Sequence, residues 1–167
     1  MGSGERTRTA TVHVLAGLNG SGKSTHARRL EKERPAVRFS LDEWMLRLHQ
    51  IRYDDPSYPA LADRCVSLIW DTAQQVLVTG TDVVLDWNQW SRARRRFWRE
   101  RAGAAGHRLV LHHLTAPLDT AIHRAEQRAN LAPSDSHNLD AAAVRHLADL
   151  FESPTPDEGI EVRIVND

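Results

Sequence analysis

The sequence predicts a three-layer α/β domain, with a central, mostly parallel five-stranded sheet, helices on both faces and a small helical lid. Two observations predict it. Apolar strand-like runs alternate with helix-period segments along all 167 residues, the pattern of strand–helix–strand crossovers. The first apolar run, ending at Ala16, also passes straight into a glycine-rich turn that opens a helix, Gly17-Leu18-Asn19-Gly20-Ser21-Gly22-Lys23-Ser24-Thr25. A chain of this length buries a core without disulfides or structural metal, so one domain is expected over 1–167.

The first strand is expected at 10–16 and its helix at about 22–33, stopped before Pro35. Val37-Arg38-Phe39-Ser40 reads as a short second strand. A helix at about 42–51 follows, and the polar, Pro-bearing stretch 52–59 cannot continue it. Leu61, Cys65, Leu68, Ile69, Thr72 and Val76 recur at helical spacing, which predicts a helix over about 59–79 with that stripe in the core and Gly80 as its stop. The third strand is 82–86, a basic helix follows at about 91–105, and the fourth strand is 107–114. Pro117 suits the first turn of a helix at 117–129. The polar segment 130–138 has a lid's composition, so the lid is expected at about 124–140, ahead of a helix at about 139–151 and a last strand at 160–165.

Composition narrows the function. The 22 basic and 22 acidic residues cancel, leaving no bulk positive field for non-specific nucleic-acid binding. Cys65 is the one cysteine, which excludes an intrachain disulfide and a Cys-rich zinc site, and simple burial is expected for it. The start has no apolar signal core and no stretch reaches membrane-spanning length, so a soluble, cytoplasmic protein without a membrane partner is expected. His112 and His113 alternate across a strand, which argues against a shared metal. Arg92, Arg94, Arg95, Arg96, Arg99 and Arg101 form one basic cluster, a nucleic-acid footprint or a solvated helix; Glu100 and the zero net charge favour the second.

The chemistry starts at the glycine-rich turn. Residues 17–24 meet G-x-x-x-x-G-K-[ST], a phosphate-binding P-loop. Its glycines let backbone N–H groups wrap phosphate oxygens, Lys23 places a charge on the β- and γ-phosphates, Ser24 offers a hydroxyl to Mg²⁺, and the helix dipole adds to both. A P-loop alone does not separate a kinase from a hydrolase or a switch. Asp42, just past the second strand, either accepts the proton of an attacking substrate hydroxyl or caps a helix behind Ser40. Asp86, ending an apolar strand, holds Mg²⁺, contacts substrate or is structural. Arg124 and Arg128 share a helix face opposite Leu118, Ala121, Ile122, Ala125 and Ala129, a face suited to closing over phosphates or simply to solvent. Trp44, Trp87 and Trp90 follow segments at the sheet's rim, near Tyr53 and Tyr58, as stacking surfaces for an acceptor or as packing.

In order and spacing, the chain resembles the small P-loop kinases that include phage-type polynucleotide 5′-kinase, chloramphenicol phosphotransferase and the zeta-toxin kinases. The P-loop, Phe39-Ser40-Leu41-Asp42, Val83 to Asn88 with Ser91-Arg92, and Arg124 with Arg128 carry the resemblance, which spans almost the whole chain. It implies ATP and Mg²⁺ as cofactors, Asp42 as general base, and Arg124 and Arg128 as phosphate clamps. ATP over GTP is implied the same way, and no Asn-Lys-x-Asp guanine motif is present. The chain departs from the polynucleotide kinases at Met45, where they place a phosphate-gripping arginine. The expectation is therefore phosphoryl transfer to a hydroxyl of a neutral small molecule such as an antibiotic, a sugar-like or a nucleoside-like compound. A polynucleotide 5′-kinase, or a switch or ATPase without an acceptor, stands as the alternative.

Overall fold

The computed structural model describes residues 9–51, 53–131 and 139–166. Five strands, β1 (Thr11–Ala16), β2 (Ala36–Ser40), β3 (Asp82–Asn88), β4 (Arg108–Thr115) and β5 (Glu161–Asn166), form one sheet in the order β2-β3-β1-β4-β5, each neighbouring pair parallel. Among the described residues six α-helices connect them: α1 (Lys23–Glu33), α2 (Leu41–His49), α3 (Tyr58–Val78), α4 (Arg92–Ala104), α5 (Leu118–Leu131) and α6 (Ala141–Asp149). The three-layer α/β expectation therefore holds, with element ends moved by one or two residues. The connection after β1 leads to one side and that after β4 to the other, which opens a crevice at the carboxyl end of β1.

Burial on both faces explains why the strands read as apolar runs. Val12, Val14, Leu85 and Leu111 pack on one face with Ile69 and Ala73 of α3 and Trp98 of α4, while Leu15, Val84 and Leu114 meet Ala27 and Leu30 of α1 on the other. Two expectations are corrected. The buried line of α3 is Cys65, Ile69, Ala73 and Leu77 with Trp70, whereas Leu68 is 54% exposed. Trp70 joins this line from the flank opposite Leu68, where its ring meets Trp98 edge-on at 5.5 Å, and Trp98 in turn meets Trp87 at 5.6 Å. The third strand runs two residues beyond Asp86, since a bulge at Val14/Leu15 lets Leu15 pair with Asn88 and accept from the Gln89 N–H at 2.8 Å.

The basic cluster is only partly a solvated face. Arg95 is buried at 1% exposure and makes a two-pronged pair with Glu158, both bonds 2.7 Å, while its remaining nitrogen donates to the carbonyls of Gln89 and Glu152. Arg92 pairs with Asp157 at 2.6 Å and Arg99 donates to the Glu158 carbonyl. These contacts fasten the segment leading into β5. Among the described residues no helix is long and apolar enough to cross a membrane.

His112 and His113 do face opposite ways. His113 stacks on Phe151, while His112 joins His13 and His26 in a buried chain between the sheet and α1. An Arg29 guanidinium can only donate, so His26 Nδ1 accepts from it at 3.0 Å; His26 Nε2 then donates to His112 Nδ1 at 2.9 Å. His112 Nε2 donates to His13 Nδ1 at 3.0 Å, and His13 Nε2 to the Asp82 carboxylate at 3.3 Å. One tautomer throughout, three neutral rings, satisfies every link.

Two predictions follow from these buried networks. Burial holds His112 down to about 3, with His13 and His26 also below 6.5, so the unfolded chain takes up protons below about 6.5 that the folded one refuses. Their stabilisation is complete above 6.5 and is lost as the pH falls towards 3; urea midpoints at pH 7.5 and 5 should drop more in the parent than in His112→Asn, and equal drops would rule the chain out as the cause. Glu158→Ala strands the Arg95 charge in the core and should cost about 3–5 kcal/mol in the same unfolding assay; a loss under about 1 kcal/mol would mean that water reaches Arg95.

Candidate active site

The P-loop lies between the end of β1 and α1, at the crevice, and two glycines there admit no side chain. At Gly17 a Cβ would stand 2.6 Å from the Leu114 carbonyl oxygen; at Gly20, φ +87°, it would stand 2.0 Å from that of Ala121 in α5. The loop is thus wedged between the sheet and α5. Asn88 secures its first turn, with Nδ2 donating to the Gly17 carbonyl at 3.0 Å and Oδ1 accepting from the Gly17 N–H at 3.3 Å.

Lys23 Nζ donates to the carbonyls of Gly17 and Leu18 at 3.0 and 2.7 Å. Burial pushes its ammonium down to about 8, the nearby Arg128 charge adds to this, and Asp86 and Asp42 oppose it. Ser24 Oγ donates to Asp86 Oδ1 at 3.2 Å, while Arg38 Nε holds Asp86 Oδ2 at 2.8 Å. Arg38 also reaches Glu43 at 2.7 Å and keeps that carboxyl below its usual range. Ser40 caps α2 by accepting from the Glu43 N–H, and Asp42 stands in the first turn. Tyr58 faces it: burial, then the Asp42 charge, raises the phenol to about 12.

A cleft of about 310 Å³ brings together Asn19, Gly20, Gly22, Lys23, Ser24, Asp42, Asp86, Trp87 and Arg128, with Tyr53, Asn88, Leu139 and Leu147 completing its walls. A second cavity of about 340 Å³ lies on the other side of Gly22, lined by Ser21, Thr25, Arg124 and the end of β5 together with His26 and Arg29. Arg124 and Arg128, four residues apart on α5, therefore line different cavities. Ile122 and Ala125 pack α5 onto Val144 of α6, and residues 132–138 of the expected lid lie outside the described residues. Of the three tryptophans, Trp87 lines the cleft. Trp44 packs edge-on against Phe39, and Trp90, 38% exposed, lies under the Arg94 guanidinium.

Sequence reasoning gave Arg38, His26 and Arg29 no role, and Asn88 only a place in the resemblance. For Arg38 a signal existed, a charge inside a strand expected to be covered on both faces. His26 and Asn88 are recognisable only from partners distant in the chain, His112 and Gly17, and Arg29 only through His26.

A family model described as an AAA domain, AAA_33, matches residues 12–154. No curated protein matches the chain in sequence. Among solved structures, the Pnkp1/Rnl/Hen1 RNA repair complex contains a chain 18% identical with TM-score 0.72; the match covers 90% of this chain and 46% of that one, so this chain spans about half its length. Kti12 of Chaetomium thermophilum in complex with ADP-AlF3 is 16% identical over 93% of this chain and 88% of its own, with TM-score 0.67. A gluconokinase from Sinorhizobium meliloti 1021 is 17% identical over 95% and 83%, with TM-score 0.59. At these identities the likeness is one of fold, and that fold is P-loop kinase-like.

The wedge at Gly20 yields a prediction. Gly22→Ala meets only backbone strain, about 1–2 kcal/mol, because nothing lies within 4 Å of the added carbon. Gly20→Ala meets both strain and the Ala121 carbonyl and should lower the melting temperature more. Equal effects in melting would show that α5 yields freely.

Proposed function

We propose that this chain, which belongs to the AAA_33 family of AAA domains, transfers the γ-phosphate of ATP to a hydroxyl group of a small molecule. The observation that carries the reading is a single cleft lined by the P-loop lysine and serine, the Asp42 carboxylate in the first turn of α2 and an arginine from α5. A nucleotide-binding switch has no need of that carboxylate. A hydroxyl acceptor does.

In this reading the phosphates lie along Gly17 to Ser24 and the nucleoside in the cavity between Thr25 and Arg124. Lys23 turns from the loop carbonyls to the β- and γ-phosphates, whose negative charge restores its affinity for a proton. The acceptor hydroxyl approaches Asp42, which takes its proton as the oxygen bonds to the γ-phosphorus; the bond to the β–γ bridging oxygen breaks and ADP leaves. Lys23 and Arg128 offset the charge that spreads over the phosphoryl oxygens. Ser24 and Asp86 present two hard oxygens 3.2 Å apart, a donor set that fits Mg²⁺ when phosphates and water supply the remaining ligands. Bound there, the ion would neutralise phosphate charge. Arg38 orients the Asp86 carboxylate for that role.

The test uses γ-labelled ATP with a panel of hydroxylated antibiotics, sugars and nucleosides, and a 5′-hydroxyl oligonucleotide. Lys23→Ala should abolish transfer. Asp42→Asn should lower turnover by roughly 10²–10⁴-fold with nucleotide affinity little changed. Parent-like turnover in Asp42→Asn would remove it as the base, and labelling of the oligonucleotide alone would make the chain a polynucleotide kinase.

A further inference from the structure

A groove of about 510 Å³ runs between α3 and α4, beside the cleft. Leu41, the neighbour of Asp42, and Trp87, which also lines the cleft, stand at the junction of the two spaces. The floor is aromatic, made of Trp87, Trp98 and Phe97, and its volume lies in the range of small-molecule sites.

The charges are selective. Among the α4 arginines, Arg92 and Arg95 are paired with Asp157 and Glu158, Arg96 with Glu100, and Arg99 donates to a backbone carbonyl. Arg94 and Arg101 have no carboxylate partner among the described residues, and these two line the groove. Seven positions apart, they share one face of α4 at a separation of about 10 Å along its axis. Aromatic rings hold them in place: Arg94 over Trp90 at 5.8 Å, Arg101 over Trp70 at 5.6 Å and Phe97 at 5.5 Å. A guanidinium fixed by stacking loses little freedom when an anion binds, and it presents a planar fork of donors. Among the described residues Asp63 on the α3 wall is the one carboxylate lining the groove, and it steers an anion towards α4.

We propose that this groove binds the acceptor, and that the acceptor is an anionic aromatic compound: its ring system lies on Trp87, Trp98 and Phe97, its negative charge is offset by Arg94 and Arg101, and its hydroxyl extends past Trp87 to Asp42. The last part rests on the phosphotransfer reading above. The groove itself does not. It replaces the neutral acceptor expected from Met45, which is fully buried, by placing anion recognition on α4 instead of α2.

Two dyes test it without knowledge of the natural acceptor: 8-anilinonaphthalene-1-sulfonate, and N-phenyl-1-naphthylamine, which shares its rings but lacks the sulfonate. Each is titrated by fluorescence against the parent, the double variant R94Q/R101Q and the double variant R94K/R101K, with affinity for a fluorescent ATP analogue measured in parallel. The parent should prefer the sulfonate. R94Q/R101Q should lose roughly tenfold or more of that affinity while keeping the neutral dye, and R94K/R101K should retain much of the preference. No preference in the parent, or one that survives in R94Q/R101Q, overturns the proposal. Because Arg94 and Arg101 line the groove and neither the cleft nor the cavity beside Thr25, failure to bind or turn over ATP would count against the phosphotransfer reading and leave the dye result to decide the groove.

Discussion

The site depends on one close approach, the P-loop backbone against the backbone of α5. At Gly20 there is no room for a methyl group between loop and helix, so the helix carrying Arg124 and Arg128 meets the loop by main-chain contact, beside the packing of Ile122 and Ala125 on Val144. From that seating follows the division of the crevice: one arginine faces a cavity on the β5 side of Gly22, and the other faces the cleft that holds Lys23 and Asp42. Asn88 performs a matching service from the sheet by binding both backbone groups of Gly17. The loop is therefore held at two points, Gly17 and Gly20, before any ligand arrives, which lowers the ordering cost of binding one.

Asp86 organises the second half of the site. Its carboxylate takes Ser24 from α1 on one oxygen and Arg38 from β2 on the other, and Arg38 continues to Glu43 in α2. One side chain on β3 thus fixes the relative positions of three other elements. Asp42 sits next to Glu43 and inherits this order. A residue at a strand end is only as well placed as the strand, and here an ion-pair chain across two strands supplies the rigidity.

What was legible in the sequence was what is contiguous. The P-loop is eight successive residues with fixed chemistry, and the strands of a parallel sheet announce themselves as apolar runs because both faces are covered. Contacts between distant positions were not legible. Arg38 meets Asp86 across 48 residues, Asn88 meets Gly17 across 71, and His13 meets His112 across 99; none of these pairs leaves a local pattern. Periodicity also failed at Leu68, because helical spacing allows a neighbouring stripe and the choice between stripes was made by Trp70 finding Trp98. For the six-arginine run, composition gave a count of charges. It did not give their partners, which lie up to 65 residues downstream.

The buried pair of Arg95 and Glu158 also has a meaning in time. Synthesis delivers β1 to β4 and α4 well before residue 158, so a nascent chain can assemble a four-stranded sheet whose α4 carries a cation destined for the interior and still without its counterion. Until Glu158 emerges, Arg95 must stay hydrated, and the flank of α4 that later accepts the last segment must stay open to water. Docking of β5 is then the step that brings Glu158 to Arg95 and completes the sheet at that edge.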